Sequence, residues 1–498
     1  MEGFPLLSTS MLAPLIGSFI ILFLREEISK WVASITSGFV FLLSLLSLFF
    51  FDFSKAYKVQ FEEKYTLIPE LNLSLHMGLD GLSYVMYLLT TLVSLSAILW
   101  STRDHQIGHR LKEYYIWFLL TETFLIGVFA SLDLMVFYVF YELTLVPMFF
   151  VIGIWGYKLR MYSAYKFFIY IFVSSLFLLL GIVSLASVHY KQFGKFSFNY
   201  FDLLKNTYPL EFEVFMFLLF LIAFAVKTPI VPFHTWLPDA HGEAPTAGSV
   251  VLAAILLKMG TYALLRFNIS LFPEASVFLM PLMVLWGIFT IVFASWFTIS
   301  QSNVKRFVAY SSVSHMGFVV TGMFLLNTEG LKASITEMFA HGLTSSALFM
   351  MAGFIYNRLH SFNMQALRGS IRFMPVFAVF VAITGFSSMG LPGGSSFWGK
   401  FLTIVGAREY TLLLAFLVIV GAFFSAVYVL YLLKTLYLDT KEEGRLIHFT
   451  DIRGFKLLAF FLMVLPMFMV GFLPFLFFAF YDPYIKNLLE QIALKVGG

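Results

Sequence analysis

The chain has 498 residues, 60% of them hydrophobic and 12% charged, with a net charge of +4 and a mean hydropathy of +0.88. That composition excludes a soluble domain, and basic residues scattered among loops, with no basic domain, exclude nucleic acid as a partner. The absence of cysteine excludes disulfides, thiolate-ligated iron–sulfur clusters and cysteine nucleophiles.

Apolar runs follow one another along nearly the whole chain, about 14 of them, each of roughly 20 residues and so able to cross a hydrocarbon core about 30 Å thick. The reading is an all-α polytopic membrane protein. The first run, 5–24, has no basic region before it and no small-residue cleavage site, so it is taken as a retained span. The longest polar stretches, 53–77, 189–213 and 439–454, are loop-sized and leave no room for a soluble catalytic domain. With the N-terminus outside, the inward loops carry Arg25 and Lys30; Arg103, Arg110 and Lys112; Lys158 and Arg160; Lys305 and Arg306; Arg358, Arg368 and Arg372; and Lys434, Lys441, Arg445 and Arg453. The outward segments hold fewer, mostly in long loops, so the positive-inside rule places both termini outside.

Five lysines remain: Lys166, Lys227, Lys258, Lys400 and Lys456. Lys166 and Lys456 stand near the start of a span, where a long side chain can snorkel to the interface. The other three are deeper, and a central lysine costs at least about 2.5–3.5 kcal/mol on insertion scales, so fold alone does not account for them. Lys227 is followed by Pro229, Pro232, Pro238 and Pro245, each of which removes a backbone donor and obstructs a continuous helix. Broken backbone at membrane depth is tolerated only where protein or a watery cavity receives it. Around Lys400 the pattern returns as "SSMGLPGGSSFWGKF", with Gly390, Pro392, Gly393 and Gly394 interrupting another apolar run. Paired discontinuous helices at matching places mark ion sites in inverted-repeat transporters. Lys227 and Lys400 are 173 positions apart, and so are Glu142 and His315. The resulting division is three N-terminal helices in 1–112, a first five-helix repeat in 113–270, an inverted second repeat in 271–438, and a loop with a last helix in 439–498.

Glu142, in "FYVFYELTLVPMFF", is expected beside Lys227, where each charge favours the other's charged form; a buried pair that only fixes helix register is the alternative. Lys258, in "VLAAILLKMGTYALL", has no acidic neighbour within a helical turn. Loss of water favours its neutral amine, which suits a group that releases and regains a proton. His315 and His341 fall within spans and His234 and His241 flank the first break; each is a proton relay or a hydrogen-bonded packing group. No metal-ligand spacing and no dinucleotide or triphosphate motif occurs. The chemistry left is proton or ion movement.

The stretches "VKTPIVPFHTWLPDAHGEAPTAGSVVLAAILLKMGTYALLRF", "KRFVAYSSVSHMGF" and "YELTLVPMFF" resemble the M-type (ND4-type) antiporter-like subunits of respiratory complex I, the proton-pumping NADH:quinone oxidoreductase. The resemblance covers nearly the whole chain. It implies 14 transmembrane helices, two inverted five-helix repeats with helices 7 and 12 broken, and one proton channel. By motif, Glu142 matches the helix-5 glutamate, Lys227 the lysine of the first broken helix, Lys258 the central lysine of helix 8, His315 the helix-10 histidine and His341 a helix-11 histidine. One position departs: "FWGKF" puts Lys400 where M-type subunits usually carry glutamate, which is similar to the L- and N-type subunits and to cation/proton antiporters.

The family implies no cofactor in this subunit, with NADH, FMN, iron–sulfur clusters and quinone held by partners. Those partners are the L-, N-, K-, J-, A- and H-type membrane subunits and, through them, the peripheral redox arm. The expected site is a relay of Glu142, Lys227, Lys258, His315 and Lys400, with His234, His241 and His341 as secondary members, in the bacterial plasma membrane. A sodium/proton antiporter subunit and a pumping module of a membrane-bound hydrogenase are the alternative readings. An inert scaffold would carry the buried charge at pure cost.

Overall fold

The computed structural model describes residues 4–104, 107–438 and 449–497; the inward charges expected at Lys441 and Arg445 lie outside the described residues. Helices dominate because an apolar run in lipid must satisfy its own backbone groups. In chain order they are α1 (Leu6–Phe23), α2 (Glu26–Ser47), α3 (Gly81–Ser101), α4 (Leu111–Ala130), α5 (Leu134–Trp155), α6 (Arg160–Phe193), α7 (Leu210–Lys227), α8 (Trp236–Glu243) and α9 (Thr246–Ile269). There follow α10 (Pro273–Ile299), α11 (Val304–Phe324), α12 (Thr328–Leu359), α13 (Pro375–Met389), α14 (Ser395–Arg408), α15 (Leu412–Tyr437), α16 (Gly454–Phe472) and α17 (Asp482–Val496). Among the described residues twelve helices are long and apolar enough to cross a membrane. Two further apolar segments, α7 with α8 and α13 with α14, are each split by a non-helical break.

Burial sorts the helices. α12 is buried along its length and packs on α3, α9, α11, α13, α14 and α16. By contrast α2, α6, α10 and α15 turn large apolar side chains such as Ile35, Phe278, Leu285 and Phe416 outward. Most of the polar chemistry is thereby kept on faces turned into the bundle, as with Ser425 of α15, which is buried although Phe416 of the same helix faces outward. Outside the spans, part of the stretch read as loop 53–77 forms an antiparallel hairpin, Gln60–Ile68 with Leu73–Leu79, turning at Asn72 in the left-handed region (φ 49°). The C-terminal tail forms the amphipathic α17, whose Tyr484, Ile485, Leu488 and Ile492 are buried against α3, α10 and α12.

At the first break the freed carbonyls are taken up by indoles: Trp236 Nε1 donates to Val226 O at 2.9 Å and Trp286 Nε1 to Val231 O at 2.5 Å. At the second break the chain turns through Gly390 (φ 89°) and Gly393 (φ 90°), a backbone region that residues with a Cβ avoid. The Ser387 hydroxyl receives Ser395 N at 3.0 Å.

Two charges lie elsewhere than the sequence placed them. Lys305 was expected in an inward loop; it sits fully buried in the first turn of α11, because the loop between α10 and α11 is only four residues long and that turn packs inside the bundle. Lys166, expected to reach the interface, pairs instead with Asp239 at 2.6 Å, which also holds Arg306. Lys456 lies over the Trp100 ring, 5.3 Å from its centre.

Candidate functional site

Lys258 is fully buried on α9, between two π-helical stretches, Leu252–Leu256 and Leu264–Ile269. A π-helical turn shifts carbonyls out of α-helical register, and the Lys258 ammonium uses one, donating to Ala253 O at 2.8 Å. Its second contact is His341 Nδ1 at 2.5 Å. A charged lysine only donates, so Nδ1 accepts and the ring proton of His341 sits on Nε2.

The His341 and His315 rings lie 5.0 Å apart, centre to centre, inclined at 38°. His315 Nδ1 is 2.6 Å from Glu337 Oε1; a carboxylate can only accept there, so Nδ1 carries the proton and Nε2 is left toward Ser388 Oγ, 3.3 Å away. Ser388 in turn gives its carbonyl to Lys400, whose ammonium donates to Ser388 O at 2.8 Å, Met389 O at 3.2 Å and Ser425 Oγ at 2.6 Å. These are the last carbonyls of α13, and a cation at a helix C-terminus is favourably placed there. Lys258, His341, His315, Ser388 and Lys400 thus form one buried row spanning α9, α12, α11, α13 and α14.

Glu337 went unnoticed in the sequence. It is buried, with Oε2 unpartnered, and it packs so closely on Gly399 that a Cβ there would sit 2.3 Å from Oε2. The available signal was spacing: Glu337 and His341 stand four apart, on one face of a helix.

The first-half residues are arranged otherwise. Lys227, fully buried at the C-terminus of α7, has no hydrogen-bond partner; its ammonium lies 4.8 Å from the centre of the Tyr141 ring. Glu142 acts on it electrostatically, as a neighbouring charge does, without a direct ion pair, and Glu142 Oε1 is unpartnered. The physical reason is that the Tyr141 ring holds the ammonium by a cation–π contact. His241 is buried with both ring nitrogens unpartnered, stacked on Phe349 at 4.6 Å, with Lys305 and Lys258 as its electrostatic neighbours. The Lys305 ammonium donates to Ala244 O between the rings of Tyr157 (5.0 Å) and Phe362 (5.3 Å). Both rings line an open cleft of about 630 Å³, together with Glu243 and His360. His234 stands apart from the row, between Phe293 and Tyr310.

A helical membrane bundle with two broken segments, each carrying a lysine, and a buried lysine–histidine row leading to one of them defines an antiporter-like, ion-translocating membrane subunit. The family described as "NADH:quinone oxidoreductase/Mrp antiporter, TM" matches residues 131–425, a stretch holding every residue of the row, and the chain belongs to that family. It is 37% identical to NADH-quinone oxidoreductase subunit M of Rickettsia conorii, with 98% of this chain and 99% of the relative covered. It is 38% identical to NADH-ubiquinone oxidoreductase chain 4 of Marchantia polymorpha, with 97% of each covered. Among solved structures it is similar to a chain of respiratory complex I from Thermus thermophilus with bound NADH, at a TM-score of 0.88 and 28% identity, covering 99% of this chain and 100% of that one. The Mrp complex from Dietzia sp. shares the fold at a TM-score of 0.81 and 22% identity, over 98% of this chain and 51% of that one.

Proposed function

We propose that the chain is the M-type antiporter-like subunit of a proton-pumping NADH:quinone oxidoreductase, and that it carries protons along Lys258, His341, His315 and Lys400 while electrons move in other subunits. The observation that carries this reading is the buried row itself: the Lys258 ammonium bonded to His341, the His341 and His315 rings in contact, and His315 and Lys400 meeting at Ser388, one on its hydroxyl and the other on its carbonyl. Intramembrane ionisable groups are costly, and their ordering into a row fits proton movement. The names of the relatives over their full length support the assignment to complex I. NADH, FMN, iron–sulfur clusters and quinone then belong to partner subunits, and the L-, N-, K-, J-, A- and H-type subunits are its membrane neighbours. The two broken segments complete 14 crossings with the twelve continuous ones. Residues 113–270 and 271–438 are inverted repeats, and both termini face outward from a bacterial plasma membrane.

In this reading Glu142 and Lys227 act as a switch. While they are close, their charges cancel; when they separate, Lys227 stands as an uncompensated positive charge. Like charges about 10 Å apart at an effective dielectric of about 20 repel by about 1.7 kcal/mol, so the separation drives a proton from Lys258 to His341. His315 takes it on, and the Ser388 hydroxyl, which faces His315 Nε2, turns to hand it to Lys400 for release. Lys258 reloads through His241 and Lys305 from the cleft beside Tyr157, on the face that bears the basic loops. Glu142→Ala and Lys227→Ala in the assembled complex are expected to lower the proton-to-electron ratio in vesicles; an unchanged ratio in both overturns the switch. Lys400 favours a second reading, a sodium/proton antiporter subunit, which sodium-dependent growth of an antiporter-deficient host tests.

A further inference from the structure

We propose that Glu337 is the shared counter-charge of Lys258 and Lys400, and that it fixes which nitrogen of His315 carries protons between them. The assignment rests on the proton-translocating reading above.

Lys258 and Lys400 lie at the two ends of the row, and Glu337 is the acid that acts electrostatically on both. It is 1% exposed, so water screens this action little. Its two oxygens do different things. Oε1 holds His315 Nδ1 at 2.6 Å, which turns Nε2 toward Ser388 and so toward the carbonyl that anchors Lys400. Oε2 is buried with no partner, against Gly399, the residue before Lys400. A glycine is required at 399 for the carboxylate to come this close.

One buried carboxylate balances one positive charge. The row of two lysines and two histidines therefore holds one positive charge at low electrostatic cost, and a second charge raises that cost. Because Glu337 stands beside His315, in the middle of the row, the balance is kept whichever lysine holds the proton. The groups around it on the packed helices are Lys258, His315, His341, Lys400 and, on α15, Tyr428. All are basic or neutral, and no second acid stands among them to take over its charge. Glu337 is a positioning residue: it acts through His315 and the lysines.

The test is Glu337→Gln and Glu337→Asp in the assembled complex, with pumping and NADH:quinone electron transfer followed in vesicles across a pH series. Glutamine keeps the shape and an acceptor for His315 but removes the charge. Pumping is expected to fall at least about tenfold, with the residual rate moving toward lower pH by about one unit, since the row then holds protons less tightly. Aspartate is expected to return pumping to within about threefold of wild type. Normal pumping in Glu337→Gln, or equal losses in both variants with an unshifted pH profile, overturns the proposal. Should Glu337→Gln fail to assemble, Glu337→Gln with Lys400→Gln decides. Assembly returns if the two are counter-charges, because an uncompensated buried lysine is removed; continued failure contradicts the proposal. Lys258→Ala runs alongside: loss there with normal Glu337→Gln sinks only this inference, whereas normal pumping in Lys258→Ala sinks the proton-translocating reading itself.

Discussion

At the first break α7 ends on a lysine whose ammonium has no hydrogen-bond partner and rests on the face of Tyr141. At the second, Lys400 reaches back to bond the last two carbonyls of α13 and the Ser425 hydroxyl. The carbonyls of the first break are instead met by Trp236 and Trp286. The same residue type in the same kind of discontinuity is therefore free in one half and structural in the other. A cation without hydrogen bonds answers to the electric field around it, which suits Lys227 to a switch with Glu142. A cation held by three acceptors changes protonation only at the expense of those bonds, which suits Lys400 to the end of a relay, where a proton must wait before release.

Substitutions sharpen this contrast. The largest structural effect is expected from Gly260→Ala, because the added Cβ would lie 2.4 Å from Thr228 Oγ1, 2.8 Å from Thr228 N and 2.9 Å from Phe224 O. Backbone at the end of α7 would have to shift, at about 3 kcal/mol, read as an earlier thermal unfolding midpoint of the purified subunit in detergent. Next comes Lys400→Met, which leaves two carbonyls unmet, while the Ser425 hydroxyl keeps its bond to Ala422 O, and is expected to cost about 2 kcal/mol. Lys227→Met breaks no hydrogen bond and is expected to leave the midpoint unchanged or raised, since a buried charge is replaced by an apolar chain. Both lysine variants are expected to lose pumping, so stability and activity separate in the first half and fall together in the second. Trp286→Phe, which frees Val231 O, is expected to cost about 1 kcal/mol. Equal destabilisation by Lys227→Met and Lys400→Met would erase the distinction.

Much of this site was legible because its parts break local rules. Proline after Lys227 and glycine before Lys400 interrupt runs that otherwise read as membrane helix, and a lysine inside an apolar run has no fold-level reason to be there. Lys258, His315 and His341 were found in this way and lie in one row. Glu337 was not, since "ITEMFAHGL" reads as an ordinary helix and nothing local tells that Gly399 and His315 will meet its carboxylate. Lys305 was misplaced because basic residues beside a short polar interruption read as loop charges, and only packing decides how deep such a turn sits. The partner of Lys166 is 73 positions away at Asp239, a distance no local pattern spans. Charge placed Glu142 beside Lys227, and the ring of Tyr141, the partner the ammonium rests on, was left out of that expectation.

The central claim is that Lys258 lies on a coupled proton path, and it is tested most directly by Lys258→Ala in vesicles carrying the assembled complex, with proton pumping and NADH:quinone electron transfer measured beside wild type. Both activities are expected to fall together by at least about tenfold, the loss of one proton-transfer group by general acid–base estimates. Wild-type rates for both, with assembly verified, would contradict the account and make this lysine a packing residue.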